Sequence, residues 1–178
     1  MNSIRFPGWV DTADKGIDRA WDALRGQPVL DRLFYGASEI GDFSKLWHVV
    51  GATRGMVSGN QREAVRLAVA LGAESALVNG LIKSVVQRDR PDADPADRPM
   101  HLRQPKTSSF PSGHASSAFL AAGLLAPRSR GGRAWYGVAT VVATSRIHVR
   151  IHHASDVVAG AVLGAILARL VDWLWPLR

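Results

Sequence analysis

The strongest constraint on the fold comes from apolar segments that are rich in glycine and alanine. The longest, VVAGAVLGAILARLVDWLW, covers 157–175 and is interrupted only by Arg169 and Asp172. Three weaker segments cover 64–82, 114–127 and 134–144. No strict alternation of apolar and polar residues persists along the chain, so we predict an all-helical protein.

These segments do not show whether the helices are embedded in a membrane or belong to a soluble protein. Apolar runs rich in small residues fit helices that pack closely in a membrane, and they equally fit the helical core of a soluble protein. No stretch reaches about 18–20 purely apolar residues, so hydropathy alone does not decide between the two.

The first predicted helix is amphipathic. Val10, Ile17, Trp21 and Leu24 lie at helical spacing with charged residues between them, and Gly26 and Pro28 follow. The helix is too charged to cross a bilayer, so it is expected to lie on the surface of lipid or of the bundle. Five further helices are predicted over 30–53, 61–88, 113–127, 134–147 and 154–175. We therefore expect one domain, 1–178, in which 1–27 form the surface helix and 28–178 form the helical core.

The direction of the helices brings distant residues together. Short helices joined by tight loops alternate in direction. The end of the third helix, the start of the fourth, the end of the fifth and the start of the sixth should therefore share one end of the bundle. Three polar clusters lie at these ends, so we expect them to meet there.

The composition limits the classes of molecule that the chain is expected to bind. The formal net charge of +7 suits nucleic acid, anionic lipid or phosphate-bearing substrates. Basic runs interleaved with aromatic residues do not occur in the sequence, so nucleic acid is not an expected partner. There is no cysteine, which excludes disulfides and thiolate metal sites. The first residues lack the signal-peptide pattern, so no cleaved export signal is expected.

The first cluster is KSVVQRDRP, residues 83–91. Lys83 and Arg90 are seven residues apart, which is two helical turns, so they are expected on one helical face. They are either solvated cations at a helix C-terminus, where the dipole favours them, or a phosphate clamp. In a clamp Arg90 is the bidentate fork and Lys83 the point charge.

The second cluster, PSGH, opens a helix at residues 111–114. Ser112 is a good N-cap, and Gly113 lets an anion approach the free backbone N–H groups. The cluster is either an ordinary helix cap or an anion site with His114 beside it as a proton donor.

The third cluster is SRIHVRIHHASD, residues 145–156. His152 and Asp156 are four residues apart, so they are expected to stack on one helical face, either as a surface pair or as a catalytic pair. In the catalytic pair the carboxylate fixes the imidazole tautomer and leaves the other nitrogen as a nucleophile. Arg146 adds a third cation. His148 and His153 have no obvious partner and are expected to be spectators.

Two histidines, a carboxylate and three cations at one end fit a phosphoryl-transfer site. The cations hold the non-bridging oxygens, one histidine attacks, and the other protonates the leaving group. A metal site is the alternative for His and Asp, but the surrounding cations would repel a metal ion, so no metal is expected.

Three motifs in this chain together resemble the three-part signature of the type-2 phosphatidic acid phosphatase superfamily. In order along the chain they are Lys-x6-Arg-Pro, Pro-Ser-Gly-His and Ser-Arg-x5-His-x3-Asp. The three parts span 83–156, and the ordered set is far more specific than any one part. The family includes membrane lipid phosphatases, soluble bacterial acid phosphatases and vanadium haloperoxidases. The first helix departs from larger relatives, which have a spanning helix there.

The resemblance implies a role for each matching residue. His152 matches the nucleophile that forms a phosphohistidine, Asp156 the carboxylate that orients it, and His114 the general acid. Three cations and a backbone-amide cradle match the phosphate-binding residues, namely Lys83, Arg90, Arg146, Ser112 and Gly113. The family needs no metal or other cofactor, and its fold is a helical bundle with the site at one end.

The resemblance also favours the membrane. Soluble relatives carry export signals or are several times longer, so a small bacterial integral-membrane lipid phosphatase, mostly embedded in the cell membrane, fits best. The tail residues Trp173, Trp175 and Arg178 suit a membrane interface. Arginines opposite the site indicate by the positive-inside rule that the site faces outward, namely Arg54, Arg128, Arg130, Arg133 and Arg178.

The expected activity is phosphate release from a lipid phosphate without a metal. Suitable substrates are phosphatidic acid, phosphatidylglycerol phosphate, a polyprenyl (di)phosphate or a polyprenyl-phosphosugar phosphate. The alternatives are a soluble-substrate acid phosphatase, a vanadate-dependent haloperoxidase and a non-enzymatic basic protein that binds membranes or nucleic acid. The sequence indicates no oligomeric state.

Overall fold

The computed structural model describes residues 6–92, 102, 105 and 107–177. Within these residues the backbone forms helices, turns and loops, which confirms the all-helical prediction. The main helices are α1 (Gly8–Trp21), α2 (Pro28–Gly41), α3 (Lys45–Ser58), α4 (Gln61–Val85), α5 (Gly113–Leu125), α6 (Arg133–His148) and α7 (Ala154–Leu174).

The second predicted helix, 30–53, is broken into α2 and α3. Phe43 and Ser44 have left-handed backbone angles, with φ of 55° and 56°, which ends the first helix and starts the next in a new direction. Asp31 of α2 contacts His148 at the end of α6, and Asp42, which follows α2, contacts His114 at the start of α5. α2 therefore lies across one end of the bundle instead of running along it.

The third predicted helix also differs from the structure. Residues Ala76–Ile82 of α4 form a π-helix, which holds more residues per turn and changes the face on which the following residues lie. The helix ends at Val85 and the backbone is extended at Val86, short of the predicted end at residue 88. Lys83 thus lies in the last helical turn, whereas Arg90 lies beyond the helix.

α5 is the central helix, and α7 packs against it closely. A Cβ atom at Gly160 would lie 2.4 Å from the carbonyl oxygen of Ser112, and one at Gly164 would lie 2.1 Å from that of Ser116. Glycine is required at both positions for this approach. Leu120 of α5 is fully buried in the core that α3, α4, α6 and α7 complete around it.

The helix ends meet as their directions predict. The N–H of Ser112, before α5, donates to the carbonyl oxygen of Asp156 in the first turn of α7 (3.0 Å). The N–H of His152 donates to the carbonyl oxygen of Arg146 near the end of α6 (3.1 Å), and Arg90 donates to that of Ile151 (2.9 Å). These contacts confirm that the three polar clusters share one end of the bundle, which we call the site end.

α1 also lies on the site end, and His148 fixes it there. Nε1 of Trp21 donates to Nδ1 of His148 (3.2 Å), and Nε2 of His148 is 2.8 Å from Oδ1 of Asp31. The ring of Phe34 is stacked on the imidazole at 4.5 Å. The prediction that His148 has no partner is wrong, because this buried side chain joins α1 and α2 to the end of α6.

Two helices, Gln61–Val85 and Ala154–Leu174, are long and apolar enough to cross a membrane. The outer face of α7 carries exposed apolar side chains about one helical turn apart, namely Val158, Val162, Ile166 and Leu170. This row faces away from α5.

Candidate active site

His152 and Asp156 meet at the start of α7. α7 begins at Ala154 with His153 as its N-cap, so His152 precedes the helix and the two residues do not stack on a helical face as predicted. Instead, Oδ2 of Asp156 accepts the N–H of His153 (2.9 Å) and lies 3.6 Å from Nδ1 of His152. The capping turn of the helix, and not helical periodicity, pairs the histidine with its carboxylate.

His152 is neutral in this environment. Its side chain is 3% exposed. Burial lowers the pKa of His152 to about 3, the positive charges of Arg146 and Arg90 act in the same direction, and Asp156 opposes them. A neutral imidazole with its Nδ1 turned to a carboxylate keeps the lone pair of Nε2 for attack.

Arg90 lies beside Nε2 of His152. Its Nη1 is 3.5 Å from Nε2 of His152 and donates to the carbonyl oxygen of Ile151. Nε and Nη2 donate to the carbonyl oxygens of Thr107 and Ser108, both at 3.1 Å. Arg90 reaches the site from the extended segment after α4, so the prediction that it shares a helical face with Lys83 is wrong although both residues reach the same place.

The start of α5 forms the opposite wall. Ser112 is the N-cap, and its Oγ is 3.5 Å from the N–H of Ala115. A Cβ atom at Gly113 would lie 3.9 Å from Nζ of Lys83 and 3.5 Å from Oδ1 of Asn79, so both side chains lie next to the helix start. A lysine beside the free N–H groups of a helix N-terminus is a suitable place for a phosphate.

Arg146 is a buried cation of the site end. It is 2% exposed, and Nη1 donates to Oγ of Ser38 on α2. Its charge acts on both His114 and His152, and Lys83 is within electrostatic range of it as well. The structure thus brings all eight predicted site residues to the site end, including the three cations of the predicted phosphate site.

His114 has a carboxylate partner that the sequence did not reveal. Nε2 of His114 is 3.2 Å from Oδ1 of Asp42 and 3.1 Å from the carbonyl oxygen of Ser38. Asp42 and Ser38 come from α2 and its end, far from the motifs in the sequence. No periodicity or spacing signals them, since they reach the site only because the chain breaks after Gly41.

Arg88 was also missed, although it lies inside the first cluster. Nη1 of Arg88 donates to Oδ1 of Asp156 and to Oγ of Ser155, both at 2.7 Å, and Nη2 donates to Oδ2 of Asp14 on α1 (2.8 Å). Oδ1 of Asp14 in turn accepts the N–H of Ser155 (2.8 Å). This buried network, which we call the Arg88 network, joins α1 to the carboxylate behind His152.

Among the residues that the structure describes, no three His, Asp or Glu side chains are grouped so that they could hold a metal ion. The charged side chains that act on His114 and His152 are instead Arg90, Arg146, Asp42 and Asp156.

A family model, a sequence relative and two solved structures all match this chain over most of its length. The model of the PAP2 superfamily matches residues 63–178, which include all three motifs. The chain is 34% identical over 151 residues to decaprenylphosphoryl-5-phosphoribose phosphatase of Mycobacterium tuberculosis, covering 84% of this chain and 83% of that one. A transmembrane PAP2-type phosphatidylglycerolphosphate phosphatase from Bacillus subtilis superposes with a TM-score of 0.75 at 26% identity, covering 94% of this chain and 87% of that one. Aquifex aeolicus LpxE shares the fold, with a TM-score of 0.72 at 23% identity over 88% of this chain and 92% of that one.

Proposed function

The chain belongs to the PAP2 superfamily, and we propose that it is a metal-independent lipid-phosphate phosphatase that works through a phosphohistidine on His152. The observation that carries this proposal is the position of Arg90, whose Nη1 is 3.5 Å from the reactive Nε2 of a buried, neutral His152. A cation at that nitrogen holds a phosphate oxygen where the phosphorus can be attacked.

In the first half-reaction the phosphate binds between the cations and the start of α5. In the transition state the negative charge is spread over the non-bridging oxygens. The positive charges of Arg90, Arg146 and Lys83 balance it. The lone pair of Nε2 of His152 forms a bond to phosphorus while the bond from phosphorus to the leaving oxygen breaks. That oxygen keeps the electron pair of the broken bond and takes a proton from His114. Burial and the charge of Arg146 lower the pKa of His114 to about 4, whereas Asp42 and the negative charge of a bound phosphate act in the opposite direction and favour its protonated form.

In the second half-reaction water releases the phosphate. His114, now unprotonated, takes a proton from a water molecule whose oxygen forms a bond to phosphorus. The bond between phosphorus and nitrogen breaks, and its electron pair returns to His152. Asp156 holds the ring and balances its charge during both steps.

The lipid that fits best is a polyprenyl-phosphosugar phosphate. The relative that is 34% identical acts, by its name, on decaprenylphosphoryl-5-phosphoribose. The structurally similar Bacillus subtilis protein acts, by its name, on phosphatidylglycerolphosphate, which makes that lipid and phosphatidic acid the next candidates.

The test is a phosphate-release screen with the full chain in detergent and EDTA. The substrates are decaprenylphosphoryl-5-phosphoribose, phosphatidylglycerol phosphate, dioctanoyl phosphatidic acid, undecaprenyl diphosphate and p-nitrophenyl phosphate. We expect the phosphoribose lipid to react fastest and His152→Ala to release no phosphate from any of them. His48→Ala, which removes an exposed histidine of α3, is the control and should keep full activity.

Each contrary result removes a specific part of the proposal. Activity that survives in His152→Ala removes the phosphohistidine. Reaction with p-nitrophenyl phosphate alone points to a soluble-substrate acid phosphatase. A vanadate-dependent haloperoxidase would require added vanadate, whereas a phosphatase should be inhibited by it.

We further propose that the chain is an integral protein of the bacterial cell membrane whose site end faces outward. α4 and α7 are long and apolar enough to cross the bilayer. Arg54 and Arg128 lie together at the end opposite the site, where Nη2 of Arg54 donates to the carbonyl oxygen of Arg128 (2.9 Å), and Arg130 and Arg133 follow in the same connection. Arg178, which also supported this orientation, lies outside the described residues. Cationic connections stay on the cytoplasmic side.

A further inference from the structure

The break after α2 places a carboxylate beside His114. Asp42 is followed by two successive non-glycine residues in the left-handed region, Phe43 and Ser44, an arrangement that costs free energy and that persists where the surrounding structure imposes it. The same break brings Oδ1 of Asp42 to 3.2 Å from Nε2 of His114.

Of the residues that the structure describes, Asp42 and Ser38 place a polar atom near Nε2 of His114, and both atoms are acceptors. They are Oδ1 of Asp42 at 3.2 Å and the carbonyl oxygen of Ser38 at 3.1 Å. Since neither can donate a hydrogen bond, Nε2 must carry the hydrogen in the neutral ring. The nitrogen on which a proton can be gained and lost is then Nδ1.

The approach of α2 to the ring is close enough to fix its position. A Cβ atom at Gly41 would lie 2.8 Å from Cδ2 of His114 and 3.1 Å from Cγ1 of Val142. The charged groups that face the pair are Arg146 of α6, which acts on both His114 and Asp42, and Lys45 of α3, which acts on Asp42. Asp42 is the acidic group among those that act on His114.

We propose that Asp42 is the positioning residue of the general acid. Together with the Ser38 carbonyl it holds the hydrogen on Nε2, so that Nδ1 of His114 gives its proton to the leaving oxygen and later takes one from water. The negative charge of Asp42 also stabilises the imidazolium that donates the proton, as a carboxylate does for a catalytic histidine in general. This inference rests on the proposed function and adds a second His–carboxylate pair to the one formed by His152 and Asp156.

The kinetic test compares two leaving groups with the full chain in detergent. Asp42→Asn should lower kcat about tenfold or more for dioctanoyl phosphatidic acid, whose alkoxide must be protonated as it leaves. For p-nitrophenyl phosphate, whose phenolate leaves without a proton, the first-turnover rate of p-nitrophenol release, which precedes the water step, should stay within about twofold. Glu39→Gln, three residues earlier on α2 and exposed, removes the same charge and should leave both rates unchanged.

Two further variants separate positioning from a loss of folding. In the background of His114→Ala, Asp42→Asn should cause no further loss, because a residue that acts through His114 has nothing left to position. Gly41→Ala, which pushes against the imidazole, should reproduce the leaving-group dependence of Asp42→Asn. Equal losses of kcat for the lipid and of first-turnover p-nitrophenol release, or effects that multiply in the double variant, would overturn the inference and leave the phosphatase standing.

A spectroscopic measurement tests the pair without turnover. In the 15N spectrum of the histidine-labelled chain, the His114 signals, assigned with His114→Ala, should show the tautomer protonated at Nε2, and Asp42→Asn should shift them. Protonation at Nδ1 instead would overturn the inference. If the wild-type chain released no phosphate from any substrate, the proposed function would fail, while this spectrum would still decide on the hydrogen bond between Asp42 and His114.

Discussion

At the scale of single residues, His152 combines properties that oppose one another. It is buried next to cations, which favours the neutral form, and it lies against Asp156, which favours the charged form. Burial prevails and brings the pKa of His152 to about 3. The proposed nucleophile is therefore unprotonated at neutral pH before any substrate arrives, and no separate base is needed to activate it.

This state of His152 makes stability depend on pH. The histidine has a pKa of about 3 in the folded chain and about 6.5 in the unfolded chain, so acid favours the unfolded state. Above about pH 6.5 the contribution of His152 to the free energy of unfolding does not change with pH. Below that pH it lowers the free energy of unfolding, by about 2 kcal/mol at pH 5. Thermal unfolding of wild type and of His152→Gln between about pH 7 and about pH 5 measures it.

We expect the stability of the wild type to fall more steeply with acid than that of His152→Gln, which lacks the titrating ring. All other titrating groups are common to both proteins, so the difference in slope belongs to His152. Parallel curves would mean that the pKa of the ring is nearly the same in the folded and the unfolded chain.

The residues of the site could be predicted from the sequence, but the reasons for their meeting could not. Lys83 and Arg90 converge because a π-helix turns the end of α4 and an extended segment returns toward α7, not because they lie two helical turns apart. His152 and Asp156 converge in a capping turn. The spacing and order of the motifs resemble those of a known family, and this resemblance identified the residues. Their geometry depends on backbone irregularities that have no sequence pattern.

At the scale of helices, α1 does more than cover the bundle. Asp14 accepts from Arg88, from Oγ of Ser155 and from the N–H of Ser155, and it is 5% exposed. Arg88 in turn holds the Asp156 carboxylate, which is fully buried. A charge removed from this network leaves a buried partner uncompensated, which is costly.

We therefore expect Asp14→Asn to lower kcat about tenfold, which is the typical effect of removing a residue that holds a functional side chain in place. KM should stay within about twofold. KM should change little because the Arg88 network contacts Asp156 and not the phosphate. Steady-state kinetics on the preferred lipid phosphate measures both constants. Asp11→Asn is the matched control on the same helix, since Asp11 is 52% exposed and 3.4 Å from Arg88, and it should stay near the wild type. Equal effects of the two variants would show that only the net charge of α1 matters.

Helix existence and direction followed from the sequence because apolar periodicity and Pro or Gly breaks are local signals. α5, α6 and α7 begin and end within two residues of the predicted bounds. The division of 30–53 into α2 and α3 was not predicted, since Phe43 and Ser44 are ordinary residues in an unusual conformation. Ser38 and Asp42 were missed for the same reason, because tertiary contacts impose that break.

At the scale of the whole molecule, the two ends of the bundle differ. The site end carries cations that the proposed chemistry needs, so its charge says little about orientation. At the opposite end the arginines serve no reaction: Arg54 donates to Arg128, and Arg66 forms an ion pair with Asp172 (2.9 Å). The charge at this end is therefore the better indicator of the cytoplasmic side.

The orientation can be tested directly because the chain contains no cysteine, so in the purified, labelled chain the signal comes from the one introduced cysteine. Thr107 is exposed near Arg90 at the site end, and Ser58 is exposed where α3 ends at the opposite side. In intact cells an impermeant maleimide should label Thr107→Cys, and it should label Ser58→Cys only after the membrane is opened. The reverse pattern would place the site end in the cytoplasm, where the lipid phosphate would have to be presented from the inner leaflet.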